Sequence, residues 1–255
     1  MHTITLFSPK GGTGRTTATM ALASGFLAMG KRVLVMDATD QVAPTPRCPY
    51  PTTLRKWHGA MSVCGIDAHR LGLTEAHTSA QVADGLSLAA ARGADIALID
   101  TQTMPEAPQI EALTRSDLIL APATGPFEAR RAIRGIATYL AEPANLFGLV
   151  TGCRNGADEL ADTRVAFGST PVLRTALPWA EAIADLTLHG DIPGFVAALT
   201  CSEDEPGYAR FREAQAAWAA VLALTCEVQW ALDGLRLAPH RPDAAYDNGG
   251  WEISA

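Results

Sequence analysis

HTITLFSPKGGTGRTTATMALASGFLAMG, residues 2–30, is the stretch that decides the fold. Its opening run ITLFS, residues 4–8, is apolar and of strand length. The turn PKGGTGRTT, residues 9–17, follows, and an Ala-rich helical pattern then runs from about Thr16 to Met29. Gly30 with the basic pair Lys31–Arg32 marks the helix end, and RVLVMD, residues 32–37, reads as a second buried strand closing on Asp37. Strand, glycine-rich loop, helix and strand make a βαβ unit.

Runs of the same continuous apolar character recur at DIALID (95–100), DLILAPA (117–123) and LFGLVTG (146–152), with a weaker one at PVLRTAL (171–177). Helical patterns separate most of them. Strands apolar on both sides, spaced by helices, predict an α/β fold: a mostly parallel twisted sheet with helices on both faces. Residues 41–60, with Pro44, Pro46, Pro49 and Pro51, read as an irregular loop. A helical pattern from Tyr208 to about Leu237 offers Trp218, Leu222, Val228 and Trp230 to a core or a partner, and residues 238–255 have the composition of a frayed tail. One domain is expected over 1–237, with its C-terminal helices beginning near 194.

The loop carries the chemistry. Glycines let backbone N–H groups wrap a phosphate, the helix N-terminus adds positive potential, and the Thr16 hydroxyl stands where a Mg²⁺ ligand is needed. A Lys immediately before the Gly pair is the mark of the deviant P-loop, and on that feature the chain resembles the ParA/MinD family of P-loop ATPases. GKRVLVMD, IALIDT and APATGPFEARRAI are similar to that family's second strand, Walker B strand and following strand–helix segment. The resemblance implies a P-loop NTPase of the ParA/MinD type that binds ATP with Mg²⁺. It assigns Gly11, Gly12, Thr13, Gly14, Arg15, Thr16 and Thr17 to the nucleotide, and Thr16, Asp37 and Asp100 to the metal. Lys10 would reach the partner's phosphates across an ATP-dependent homodimer. Leu177, Pro178 and Trp179 match the loop beside the base; Arg154 and Asn155 match a polar base-recognition position, or belong to an ordinary surface loop.

Two departures bear on catalysis. Arg15 replaces the standard P-loop lysine, putting a planar fork where a slim ammonium is usual. Thr39 stands where relatives carry the second carboxylate of D-x-D, leaving Asp40, one residue on, as the substitute that would have to shift into place. Among subfamilies the chain looks most like ParA-type ATPases of plasmid maintenance and conjugative or T-DNA transfer. The implied partners are non-specific DNA and a ParB-like or relaxosome-type protein. Arg130, Arg131 and Arg134 share one helix and read either as a DNA patch or as a solvated face. Two functions stay open, an ATP-dependent dimerising switch and a degenerate nucleotide-binding scaffold. A small-molecule kinase or ligase is disfavoured because no second catalytic constellation is legible.

Composition sets the outer limits. A net charge of −7 over 255 residues excludes a surface that is wholly a nucleic-acid footprint. No 18 apolar residues run together, and the N-terminus has no basic segment ahead of an apolar one, so no membrane span or export is expected and the location is read as cytoplasmic. The ending PDAAYDNGGWEISA lacks the basic amphipathic membrane helix of MinD proteins. The five cysteines are widely spaced with no C-x-x-C pair, which predicts buried free thiols in a reducing compartment.

Overall fold

A computed structural model describes residues 1–39, 51–140, 145–153, 157–199 and 205–234. The strands β1 (His2–Leu6), β2 (Val33–Ala38), β3 (Leu71–Glu75), β4 (Ile96–Thr101), β5 (Leu118–Ala123), β6 (Leu146–Cys153) and β7 (Leu177–Pro178) form one sheet in the order β3-β2-β4-β1-β5-β6-β7. Its pairings are parallel throughout. The helices are α1 (Arg15–Ala28), α2 (Thr53–Val63), α3 (Ser79–Ala91), α4 (Ala107–Thr114), α5 (Pro126–Tyr139), α6 (Ala157–Ala166), α7 (Glu181–Ala184), α8 (Leu186–His189), α9 (Ile192–Leu199) and α10 (Glu205–Leu232).

Both sides of the sheet are covered, which is why its inner strands are apolar at every position rather than at alternate ones. Ile4, Leu6, Val35, Leu98 and Leu120 pack with α1, α2 and α10 on one face. On the other, Met36, Ala97 and Ile99 meet α3, and Ile119, Ala121 and Ala123 meet α5. The expected α/β fold is therefore observed, with strand boundaries within two residues for the five continuous apolar runs. Since β1 lies between β4 and β5, the chain leaves its C-terminal end at the point where strand order reverses, and the crevice there is where such sheets bind ligands.

Three expectations need correction. Residues 51–60 are not irregular: the Thr52 hydroxyl accepts the Arg55 N–H at 3.2 Å to cap α2, and Leu54, Trp57 and Met61 bury one stripe of it. Residues 41–50 lie outside the described residues. PVLRTAL is not a continuous strand; Val172 makes a single bridge to Gly148, and pairing resumes only at Leu177–Pro178. On α10 the expected core contact is met by Val228, which is buried in a stripe with Ala214, Ala217, Val221, Leu224 and Ala231, and by Trp218, which packs against the core; Leu222 and Trp230 are half-buried beside the stripe. Residues 235–255, the end of the expected helix and the tail, are outside the described residues. The expected burial of the free thiols also fails at Cys64, which is exposed because it caps the C-terminal end of α2, while Cys226 is free and half-buried.

The contact of α1 with α10 depends on one missing side chain. A Cβ at Gly25 would lie 2.0 Å from Thr225 Oγ1 and 2.9 Å from Thr225 Cβ, and that hydroxyl is itself buried, donating to Val221 O at 2.7 Å. Gly25→Ala is expected to lower unfolding stability by about 1–3 kcal/mol despite alanine's better helix propensity, because overpacking outweighs it. Urea unfolding checks this, and adding Thr225→Ala should recover part of the loss.

Candidate functional site

The loop between β1 and α1 sits at the C-terminal edge of the sheet, framed by the ends of β2, β4 and β6. Gly12 and Gly14 take φ of 79° and 76°, a left-handed conformation that L side chains rarely adopt, and this curls the backbone into a cradle. Thr151 on β6 fixes its base by donating its hydroxyl to Thr13 O at 2.8 Å. A Cβ on Gly14 would come within 3.2 Å of that same threonine.

Helix α1 starts at Arg15 directly behind Gly14, with no side-chain cap and no acid in its first turn. By contrast, α2 and α3 are capped by the Thr52 and Thr78 hydroxyls. The first N–H groups of α1 are left to a partner other than a capping side chain, and an anion suits them.

Two carboxylates stand beside the loop. Asp37 and Asp100 are register partners on β2 and β4, both almost wholly buried. Asp100 Oδ2 accepts the Thr16 hydroxyl at 2.6 Å, which leaves that hydroxyl's lone pairs free to face a cation. Burial pushes the Asp100 carboxyl up to about 7; the Thr16 hydrogen bond and the Arg15 charge oppose this, and Asp37 reinforces it. Burial likewise holds the Arg15 guanidinium below its ordinary range, against the pull of Asp100. Among the described residues, neither Asp100 Oδ1 nor Arg15 Nη1, both buried, has a hydrogen-bond partner. Buried polar atoms of two groups that interact electrostatically, each left without a hydrogen bond, mark a place where something else completes the bonding.

Thr39 follows Asp37 and turns back on it, donating its N–H at 3.1 Å and its hydroxyl to Asp37 Oδ1. The position where a second carboxylate was looked for thus carries a donor already engaged with the first. Lys10 lies at the exposed lip, where its ammonium pairs with Glu128 on α5 and stands 5.8 Å over the Phe127 ring. The Lys10 hydrogen bond draws the Glu128 carboxyl below its usual range.

The structure therefore gathers Lys10, Gly11, Gly12, Thr13, Gly14, Arg15, Thr16, Thr17, Asp37, Thr39 and Asp100 at one end of the sheet. Leu177 and Pro178, paired to β6 at Thr151 and Cys153, lie one strand beyond the loop's anchor. Asp40, Arg154 and Asn155 fall outside the described residues. Sequence reasoning missed three contributors. Ser8, wholly buried at the loop's entrance, has no hydrogen-bond partner for its hydroxyl among the described residues. Thr151 and Glu128 reach the loop from 138 and 118 residues away, distances no local pattern reports. An acid in the first turn of α5 was visible as a helix-start signal, but not as the partner of Lys10.

Among the described residues no three His, Cys, Asp or Glu side chains cluster into a metal cage. Asp37, Asp100 and the Thr16 hydroxyl are the oxygen ligands at the loop that could hold a Mg²⁺ ion, which is usually bound by one or two carboxylates, waters and the oxygens of a polyphosphate. The left-handed cradle, the uncapped helix and the two orphaned groups fit a nucleoside polyphosphate with its cation.

The model of the VirC1 protein family matches residues 1–139. No curated protein matches the sequence significantly. Solved structures with the same fold include pnob8 ParA, with a TM-score of 0.63 at 15% identity, covering 92% of this chain and 99% of that one. The septum site-determining protein MinD from Pyrococcus horikoshii OT3, complexed with Mg-ADP, gives 0.62 at 15%, covering 89% and 95%. A plasmid partition protein from Borrelia burgdorferi B31 bound to AMPPNP gives 0.57 at 14%, covering 89% and 99%.

Proposed function

Since the chain belongs to the VirC1 protein family and has the fold of the MinD and ParA ATPases, we propose that it is a nucleotide-dependent dimerising switch in DNA partitioning, transfer or cargo positioning. The observation that carries this reading is the orphaned pair at the loop, Arg15 Nη1 against Asp100 Oδ1. ATP supplies the phosphates for the first and, with Mg²⁺, the cation for the second. Solved relatives holding Mg-ADP and AMPPNP support the same ligand class. The Gly11–Gly14 backbone and the N-terminus of α1 wrap the phosphates, Arg15 neutralises them, and Thr16, Asp37 and Asp100 hold the cation and its waters. Leu177, Pro178 and Trp179 flank the base.

Dimerisation is supported by what the loop's rim exposes. Phe127 is 60% and Met104 72% exposed, both next to the nucleotide edge, and large apolar side chains left open there suit a second copy. Lys10 is held in cis by Glu128 and would exchange that partner for the other protomer's phosphates. Light scattering with a non-hydrolysable ATP analogue is expected to double the mass of the wild type and leave Lys10→Ala monomeric. Glu128→Ala should dimerise at lower nucleotide concentration. Equal masses for wild type and Lys10→Ala would rule the sandwich out.

Partner contacts follow from α5. Arg130, Arg131 and Arg134 are exposed along one side of it with Phe127, and among the described residues none has an ion pair. Three guanidiniums on an otherwise acidic chain suit DNA phosphates beside the switch, with a ParB-like or relaxosome-type protein as the cargo adaptor. Among the described residues no helix is long and apolar enough to cross a membrane.

A second reading, a nucleotide-binding scaffold without turnover, is favoured by one observation. The Thr39 hydroxyl donates to Asp37, so it is turned away from accepting a proton from water. Phosphate release measured against ATP affinity separates the two.

A further inference from the structure

A cavity of about 640 Å³ opens between α3 and the outer strands β2 and β3, within the size range of small-molecule sites. Arg32 and Val33 stand at the start of β2, Ala68 and His69 precede β3, and Ala94 precedes β4, so the cavity lies at the N-terminal ends of the strands. The nucleotide loop is at the opposite ends, one strand length or roughly 16–20 Å away. This cavity is separate from the site already described.

Its walls are apolar and its mouth is cationic. Val33, Leu34, Leu73 and Ala89 form the interior, and Leu88 on the rim is 51% exposed. Arg32, Arg92 and His69 also line it, and among the described residues none of the three has an ion pair. The acids close by are occupied with backbone: Asp95 Oδ2 accepts the Arg32 N–H at 2.7 Å, and Asp67 Oδ1 accepts the His69 N–H at 2.8 Å. Two guanidiniums without an ion pair among the described residues, on a chain of net charge −7, suit an anion at this mouth.

Glycines keep the arrangement open. Gly93 has φ of +75°, and a Cβ there would lie 1.8 Å from Arg32 Nη2, so the guanidinium rests in space that any other residue would fill. Gly72 contributes no side chain to the floor, where a Cβ would stand 3.3 Å from Leu34 Cδ1. We infer that this cavity binds a small amphipathic anion, an apolar body carrying one carboxylate or phosphate, with the body against Leu34 and Leu73 and the head between Arg32 and Arg92. It is independent of the nucleotide reading and stands or falls without it.

The test is calorimetric titration of the purified chain with octanoate, octyl phosphate, octanol and inorganic phosphate, each with and without excess ATP. The two amphipathic anions are expected to bind saturably and undisplaced by ATP, with octanol and inorganic phosphate at least ten-fold weaker. The tighter of the two anions identifies the head group. Arg32→Glu with Arg92→Glu should weaken the anions at least ten-fold, and Gly72→Leu, which fills the floor, should do the same, while ATP affinity stays unchanged in both. The arginine variant changes exposed side chains, so it keeps the test informative if Gly72→Leu fails to fold. Inorganic phosphate binding as tightly as octyl phosphate, wild-type affinity in the arginine variant, or no saturation by either amphipathic anion would each overturn the inference.

Discussion

Phosphate release by an Arg15→Lys, Thr39→Asp double variant is expected to exceed that of the wild type by about a hundred-fold or more at saturating ATP. The wild-type Thr39 hydroxyl points its proton at Asp37, so it neither orients an attacking water by charge nor takes its proton. A carboxylate at 39 would do both. With ATP bound as proposed, Arg15 would bring a broad planar donor set to the γ-phosphate where a single ammonium fits more narrowly, so restoring lysine alone would correct position but supply no base. Both defects act on one reaction centre, and each single change should therefore raise release by less than ten-fold. Steady-state phosphate release by the four proteins decides it. A wild type already as fast as the double variant would mean that Asp40 or another group supplies the base, and the scaffold reading would be dropped.

Asp100→Asn is expected to stabilise the ligand-free protein at alkaline pH while abolishing Mg²⁺-dependent nucleotide binding. In the folded chain this carboxyl is pushed up to about 7, against 3.8 for the ordinary group. Below the unfolded value both states are protonated and nothing is lost. As pH rises from about 4 to 7 the unfolded chain ionises while the folded one resists, so the wild type loses stability, and above 7 the deficit levels off. Asparagine carries no charge at any pH. The stability gap between variant and wild type should widen by on the order of 3 kcal/mol from pH 4.5 to 8, in favour of the variant. Urea unfolding at the two pH values measures it, and an unchanged gap would mean that Asp100 is not strained by its burial.

What could be read from the sequence follows the physics of burial. The inner strands β1, β2, β4 and β5 are covered on both faces and so appear as unbroken apolar runs. Edge strand β3, LGLTE, is half-exposed apart from Leu71 and interrupted by Gly72 and Thr74, and it leaves no such run. Helix α2 was hidden by the prolines before it, although Leu54, Trp57 and Met61 already had helical spacing; Pro51 precedes the cap instead of breaking the helix. In the site, the loop was legible because its chemistry is local. The tie of Lys10 to Glu128, the anchor from Thr151 and the turn of Thr39 onto Asp37 depend on which strand ends the sheet brings together, and only the fold supplies that.

Isothermal titration with ATP and Mg²⁺, run on the wild type and on Asp100→Ala, bears on whether the orphaned groups of the loop are a nucleotide site at all. The wild type should bind saturably with one nucleotide per chain, and the variant should lose Mg²⁺-dependent binding. No heat of binding by the wild type at millimolar ATP, or undiminished affinity in the variant, would contradict it.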